Sequence, residues 1–132
     1  MDYGINILVV DDSRAMRMTI KVILKRLGFM NIVEAEDGRQ GLDVLKTVHI
    51  DLILCDWMMP VMTGLEMLKE LQKDPAQAKI PFVIVTAVGN KESIIEAVQA
   101  GVSNYIVKPF APDTLEGKIK ACFTNKNKLK LE

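Results

Sequence analysis

The chain has little of what metal–sulfur or nucleophilic-triad chemistry needs. It carries one histidine, His49, and two cysteines, Cys55 and Cys122. A histidine-built metal site or a histidine-based triad has almost no material to work with. The cysteines form no CxxC pair and sit in apolar segments. A disulfide framework is therefore not expected, and a reducing cytoplasmic home is. Aromatics make up only 5% of the chain, with one tryptophan, Trp57. Neither sign of charge is in excess, since Lys+Arg and Asp+Glu both total 17. No global field draws such a chain to nucleic acid or to a membrane surface. No apolar run approaches the roughly 20 residues of a membrane span. The opening residues lack the basic start and apolar core of a signal peptide.

What is present is ordinary globular material. Apolar residues are 49% of 132, which excludes disorder of the whole chain and suits one domain. The expectation is a single, monomeric domain over 1–132, with a core from about 5 to 123. Its Lys-rich end, with Lys126, Lys128 and Lys130, reads as a solvated terminus rather than a binding patch.

Short continuous apolar runs alternate with longer segments of helical spacing. The runs are Ile7–Val10, Leu52–Cys55, Phe82–Val85 and Tyr105–Val107, with a weaker one at Ile32–Val33. Continuous apolarity predicts strands buried on both faces of a parallel sheet. Met16, Ile20, Ile23, Leu24 and Leu27 predict a first helix, with Arg17, Lys21 and Lys25 elsewhere on its circumference. Gly28 fits its C-terminal stop. Leu42 and Leu45 mark a second helix after Asp37-Gly38. Leu65, Leu68 and Leu71 mark a third, with Thr63 as its N-cap. Ile94, Ile95 and Val98 mark a fourth, stopped by Gly101. Leu115, Ile119, Cys122 and Phe123 mark a fifth, with Pro112 in its first turn. Five strand-then-helix units predict a doubly wound α/β fold, five parallel strands with five helices on two faces.

Such sheets bind ligands at the carboxyl ends of their strands. The first strand ends in Asp11-Asp12, the third in Asp56, the fourth in Thr86 followed by Ala87, and the fifth in Lys108-Pro109. Three carboxylates in one cleft repel one another unless their pKa values rise or a cation binds. All-oxygen donors with room for water suit Mg²⁺, with Mn²⁺ an alternative. A carboxylate beside such a cation, a lysine and a hydroxyl is built to accept a phosphoryl group. No GxxxxGK[ST], GxGxxG or GxSxG motif offers a competing chemistry.

Taken singly, these residues have blander readings. Asp-Asp alone is a turn plus a cap, and Asp56 alone is a turn residue. Tyr105 reads as a core aromatic with its hydroxyl at the surface. Trp57 reads as a partly exposed aromatic. Met58, Met59 and Met62 read as gap-filling packing. Cys55 should be buried and inert, and His49 a surface residue.

Taken together in order, Leu8–Ser13, Glu34–Gly38, Cys55–Pro60, Val85–Ala87, Ala100–Tyr105 and Val107–Phe110 resemble the response-regulator receiver domains. Within that family they resemble the stand-alone chemotaxis regulators of the CheY type. The resemblance covers about Ile5 to Phe123 and implies a flavodoxin-like strand order, 2-1-3-4-5. It implies that Asp56 is the phosphoryl acceptor and that Mg²⁺ is held by Asp11, Asp12, Asp56 and the backbone carbonyl of Met58. It implies that Lys108, Thr86 and Ala87 contact the phosphoryl group, that Thr86 and Tyr105 form the switch, and that the Lys108–Pro109 bond is cis. The output surface would include Lys91, Ile94, Val98, Tyr105 and Lys118. The implied partners are a sensor histidine kinase of the CheA-like type, the flagellar motor switch protein and a possible phosphatase. On this reading the chain is a signalling switch, not an enzyme acting on outside substrates.

Three positions depart from the pattern. Met58 stands where the best-known chemotaxis regulators have Asn, and Val88 where they have Glu. Thr63-Gly64 replaces Asp-Gly. The first two flank the path of the hydrolytic water and put the phosphoryl lifetime, and use of that phosphatase, in question. An alternative within the class is a phosphate sink or non-flagellar regulator; alternatives of other classes are an Asp-nucleophile phosphohydrolase and a flavin-bearing electron carrier. The last two call respectively for a substrate-capping insertion and a glycine-rich phosphate loop, and this chain shows neither.

Overall fold

Residues 1–87 and 89–124 are described in a computed structural model. Val88, Lys126, Lys128 and Lys130 lie outside the described residues. The strands are β1 (Asn6–Val10), β2 (Asn31–Ala35), β3 (Leu52–Cys55), β4 (Phe82–Thr86) and β5 (Asn104–Val107). The helices are α1 (Arg14–Leu27), α2 (Gly38–Leu45), α3 (Gly64–Gln72), α4 (Lys91–Ala100) and α5 (Pro112–Cys122). All strand pairings are parallel and the order is β2-β1-β3-β4-β5.

Alternation within each strand divides the core in two. Leu8, Val10, Ile53, Cys55 and Ile84 face α2, α3 and α4 through Leu42, Met67, Leu68, Leu71 and Ala97. Ile7, Val9, Leu52, Leu54, Val83 and Val85 face α1 and α5 through Ile20, Leu24, Leu115 and Ile119. Each such fully buried aliphatic side chain contributes about 1.5–3 kcal/mol. The continuous burial expected of the apolar runs holds in β1, β3 and β4. The flanking strands β2 and β5 are only partly covered, because each has a neighbour on one side alone.

The helix boundaries follow from local chemistry. Ser13, Asp37, Thr63 and Asn90 each cap a helix by accepting a backbone N–H. Thr63 and Glu66 form a reciprocal capping box, so Thr serves where Asp was the alternative. Accepting the Thr63 N–H lowers the Glu66 pKa. Gly28 and Gly101 end α1 and α4 in the left-handed region, at φ 111° and 102°.

Three side chains sit differently from the sequence expectation. Arg17, set off the apolar stripe of α1 by the sequence pattern, is nevertheless buried, because its side chain turns back over the first helical turn and finds protein acceptors there. Trp57 is not partly exposed. It is 5% exposed, packed under α4, with its indole N–H donating to Glu96. Of the methionines, Met59 and Met62 pack as expected, whereas Met58 is 60% exposed.

Candidate functional site

The order 2-1-3-4-5 makes β1 and β3 neighbours whose following helices leave to opposite faces. The cleft between their carboxyl ends is where the two acidic segments meet. Asp11 follows β1. Its N–H donates to the Ala35 carbonyl (3.1 Å), continuing the β1–β2 pairing by one residue. Its Oδ1 accepts the Ser13 N–H at 2.8 Å, fixing the turn into α1. Asp56 follows β3, with its N–H donating to the Val10 carbonyl at 2.9 Å. The carboxylate oxygens of Asp11, Asp12 and Asp56 lie within 4.8 Å of one another. Asp11 is 1% and Asp56 9% exposed, while Asp12 stands open to solvent.

Lys108 closes the group from the end of β5. Its N–H donates to the Thr86 carbonyl (2.8 Å), so the ends of β4 and β5 are tied together. Its ammonium lies 2.9 Å from Asp11 Oδ2 and 3.4 Å from Asp56 Oδ2. The Lys108–Pro109 bond is cis. Thr86 is buried at the end of β4, and Ala87 is exposed beside it.

The electrostatics follow from this crowding. Burial foremost raises the Asp56 pKa, and the Asp11 charge adds to that. The Lys108 ammonium and the Met58 N–H pull the other way without prevailing. Burial works against the charge on Lys108, yet its bond to Asp11 and the field of both carboxylates leave its pKa raised. Cys55, directly before Asp56, is fully buried on the opposite sheet face, and its thiol pKa is pushed well up by burial. Its burial is as expected, and a thiol held protonated by burial is a poor nucleophile. Cys122 is half-buried and pushed up to about 11. His49 is a surface residue, paired to Asp51 at 2.8 Å.

The loop from β3 to α3 is tightly wound. The Met62 N–H bonds the Pro60 carbonyl (2.7 Å) around Val61, whose φ is 68°. A β-branched residue there stores about 1–3 kcal/mol of strain. Gly64 opens α3 against the end of β3. An added Cβ would lie 2.5 Å from the Asp56 carbonyl oxygen and 3.1 Å from Trp57 Cα. Both obstacles are backbone and cannot swing aside. Gly64→Ala is therefore expected to destabilise the fold by about 1–3 kcal/mol, read as a lower urea midpoint with unchanged slope. A midpoint equal to the wild type would contradict this packing.

The expected surface residues lie on α4, β5 and α5. Lys91 is exposed at the start of α4, and Ile94 and Val98 are half-buried along it. Lys118 stands over the Tyr105 ring at 5.0 Å and donates to Asn104. Tyr105 and Ile94 share with Trp57, Ile84, Thr86, Ser93 and Ala97 a cavity of about 10 Å³. That is room for about one water.

The sequence reading missed Arg17, Glu34 and Glu96. Glu34 was visible as an acid directly after the weak run Ile32–Val33, and Arg17 and Lys21 as an i,i+4 basic pair that could reach it. Nothing local in sequence pairs Glu96 with Trp57, 39 residues away.

Comparison with known proteins agrees with this geometry. Residues 7–120 match the family model for the response regulator receiver domain. The chemotaxis protein CheY of Pseudomonas aeruginosa is 43% identical over 121 residues, covering 92% of this chain and 98% of that protein. CheY-3 of Vibrio cholerae is 42% identical over 123 residues, covering 93% and 95%. Among solved structures, the chemotaxis protein CheY4 of Vibrio cholerae superposes with a TM-score of 0.83 at 31% identity, covering 91% of this chain and 99% of that one. The receiver domain of a Pseudomonas aeruginosa sensor histidine kinase, which holds a magnesium ion in its active site cleft, gives 0.81 at 26% identity and covers 89% and 95%. Receivers thus occur among its relatives both as chemotaxis proteins and within kinases. The chain itself belongs to the response regulator receiver domain family, in the CheY-like branch that serves two-component signalling.

Proposed function

We propose that this receiver takes a phosphoryl group from a kinase phosphohistidine onto Asp56 and thereby changes its affinity for a target, the flagellar motor switch in chemotaxis. The observation that carries the reading is the approach of Asp11, Asp12 and Asp56 to within 4.8 Å, with Lys108 between Asp11 and Asp56.

The donor set fits a hard divalent cation. It is all oxygen, it holds more negative charge than Lys108 balances, and Asp12 faces water. Asp11, Asp12 and Asp56, with the Met58 carbonyl, would hold Mg²⁺ or Mn²⁺. Such an ion supplies charge neutralisation at the phosphoryl oxygens. The chain's own residues do the rest. A carboxylate oxygen of Asp56 attacks phosphorus, a P–O bond forms, and the P–N bond to the donor imidazole breaks. Lys108 shifts its ammonium from the carboxylates to the transferred oxygens. The Thr86 hydroxyl donates to one of these oxygens, with the Ala87 backbone beside it. The chain catalyses its own phosphorylation and hydrolysis and no other turnover.

The switch reading has a steric consequence. A cavity of about 10 Å³ cannot take the Tyr105 ring. The ring can turn inward only if Thr86 leaves its place or α4 shifts, and this couples the site to Lys91, Ile94, Val98 and Lys118 on the α4–β5–α5 surface. No helix among the described residues is long and apolar enough to cross a membrane.

Intact mass after incubation with acetyl phosphate and Mg²⁺ tests the chemistry. One phosphoryl group is expected, and none after EDTA. No gain from acetyl phosphate or from a phosphorylated histidine kinase would end the reading. Phosphorylated protein that binds the motor switch protein no better than the unphosphorylated form would remove the flagellar part alone.

Met58 bears on lifetime. Met58 lies two residues past Asp56 with its side chain exposed, and a thioether cannot position a water as an amide can. Met58→Asn, alone and with Val88→Glu, is expected to speed dephosphorylation several-fold, followed by loss of phosphoprotein with time. An unchanged rate in both variants would show that these side chains do not set the lifetime.

A further inference from the structure

We propose that Arg17 is the positioning residue of the cation site, a buried brace that holds the β1–α1 loop so that Asp11 and Asp12 stay aimed together. The inference rests on the reading of Asp11, Asp12 and Asp56 as cation ligands and adds a residue that touches neither cation nor phosphoryl group.

Arg17 is 8% exposed, the only basic residue counted as buried among the described residues. A guanidinium leaves water only where its donors are satisfied. Its Nη1 donates to the backbone carbonyl of Asp11 at 2.7 Å, the shortest of its contacts. Its Nε donates to Glu34 Oε1 at 3.1 Å on β2, and Lys21, one turn further along α1, reaches Glu34 Oε2 at 3.5 Å. The brace therefore joins α1, β2 and Asp11, the residue that follows β1.

Asp11 has its other polar atoms committed as well. Its N–H is held by Ala35, Oδ1 by Ser13 and Oδ2 by Lys108. The carbonyl is the remaining handle on its peptide plane, and that plane also sets where Asp12 begins. Three carboxylates this close drive each other apart when ionised. A loop held only by caps would yield by rotating this peptide. The Arg17 fork resists that rotation, because one planar group is fixed at two places. Partners that orient metal ligands through such bonds typically carry 10–100-fold in metal affinity.

The test is the Mg²⁺ affinity of Arg17→Met, which keeps the stem and removes the donors. It is read by Trp57 fluorescence and independently by titration calorimetry, at a temperature where circular dichroism shows the variant folded. The expected Kd is at least tenfold weaker than wild type, with Arg17→Lys between the two and Glu34→Gln weakened in the same direction. A brace with no bearing on the site would lower the melting temperature and leave Kd unchanged, and that result overturns the proposal. If Arg17→Met does not fold, Arg17→Lys and Glu34→Gln decide it by the same readout. Wild type that binds no Mg²⁺ by either method would instead overturn the cation-site reading, and the brace role with it.

Discussion

Asp56→Asn is expected to take up no phosphoryl group from acetyl phosphate and to melt at a higher temperature than wild type in metal-free buffer. The two effects have one cause. The carboxylate that would attack phosphorus is the same one whose charge burial disfavours. An amide cannot attack, so uptake falls to background. The amide also carries no charge to desolvate, while Lys108 keeps its 2.9 Å bond to Asp11 and is not orphaned. Replacing a buried ionised group while leaving its neighbours paired stabilises by an amount on the order of 1 kcal/mol. For a domain of this size that is about 3–5 °C in Tm.

The sign fixes a pH dependence. The Asp56 pKa is raised in the folded state, so ionisation costs more there than in the unfolded chain. That cost is fully present above the folded pKa. It fades as pH falls through the folded pKa towards the ordinary carboxylate value. The gap in Tm between variant and wild type should therefore narrow as buffer is taken from neutral into the acid range. A variant that melts at or below wild type at neutral pH would mean that Lys108 more than offsets the burial of Asp56.

Much of this was legible in the sequence because parallel sheets announce themselves. Ile7–Val10, Leu52–Cys55 and Phe82–Val85 are apolar without alternation, and only strands covered on both faces require that. Once those strands are parallel, the residue after each one falls on the same edge, so Asp11, Asp56, Thr86 and Lys108 meet without any long-range information. The strand order itself came from family resemblance, and the pairings bear it out. What stayed hidden depends on side-chain reach rather than on position. Arg17 sits on a helix whose pattern assigns charged residues to water, and only the placement of Glu34 on the neighbouring strand supplies a reason to bury it. Trp57 stands two residues past a strand end, where exposure is the default. Its burial needs α4 to cross above it and Glu96 to receive its N–H. Met58 failed in the opposite sense, because the tight turn at Val61 folds Met59 and Met62 inward and leaves Met58 outside.

The second large effect expected is a rise in stability on adding Mg²⁺, undone by EDTA. In the metal-free cleft the carboxylates of Asp11, Asp12 and Asp56 are held within 4.8 Å with Lys108 contacting Asp11 and Asp56 alone. Folding brings these charges together, and the unfolded chain does not. A cation that binds only the assembled set stabilises the folded state by mass action, by about 2.7 kcal/mol at a hundredfold excess over Kd. Urea titration should show the midpoint moving up with Mg²⁺ concentration at constant slope, as the exposed surface on unfolding is unchanged. Asp56→Asn should lose most of that increment although its metal-free stability is higher. The two titrations should therefore approach one another, or cross, as Mg²⁺ is raised. Na⁺ at matched ionic strength separates site binding from screening, since screening alone would raise both proteins together. A wild-type midpoint that responds to Na⁺ as it does to Mg²⁺ would reduce the three aspartates to a repulsive cluster relieved by any salt. A response confined to Mg²⁺ or Mn²⁺ and removed with Asp56 would tie the stability of this fold to the chemistry at its sheet edge.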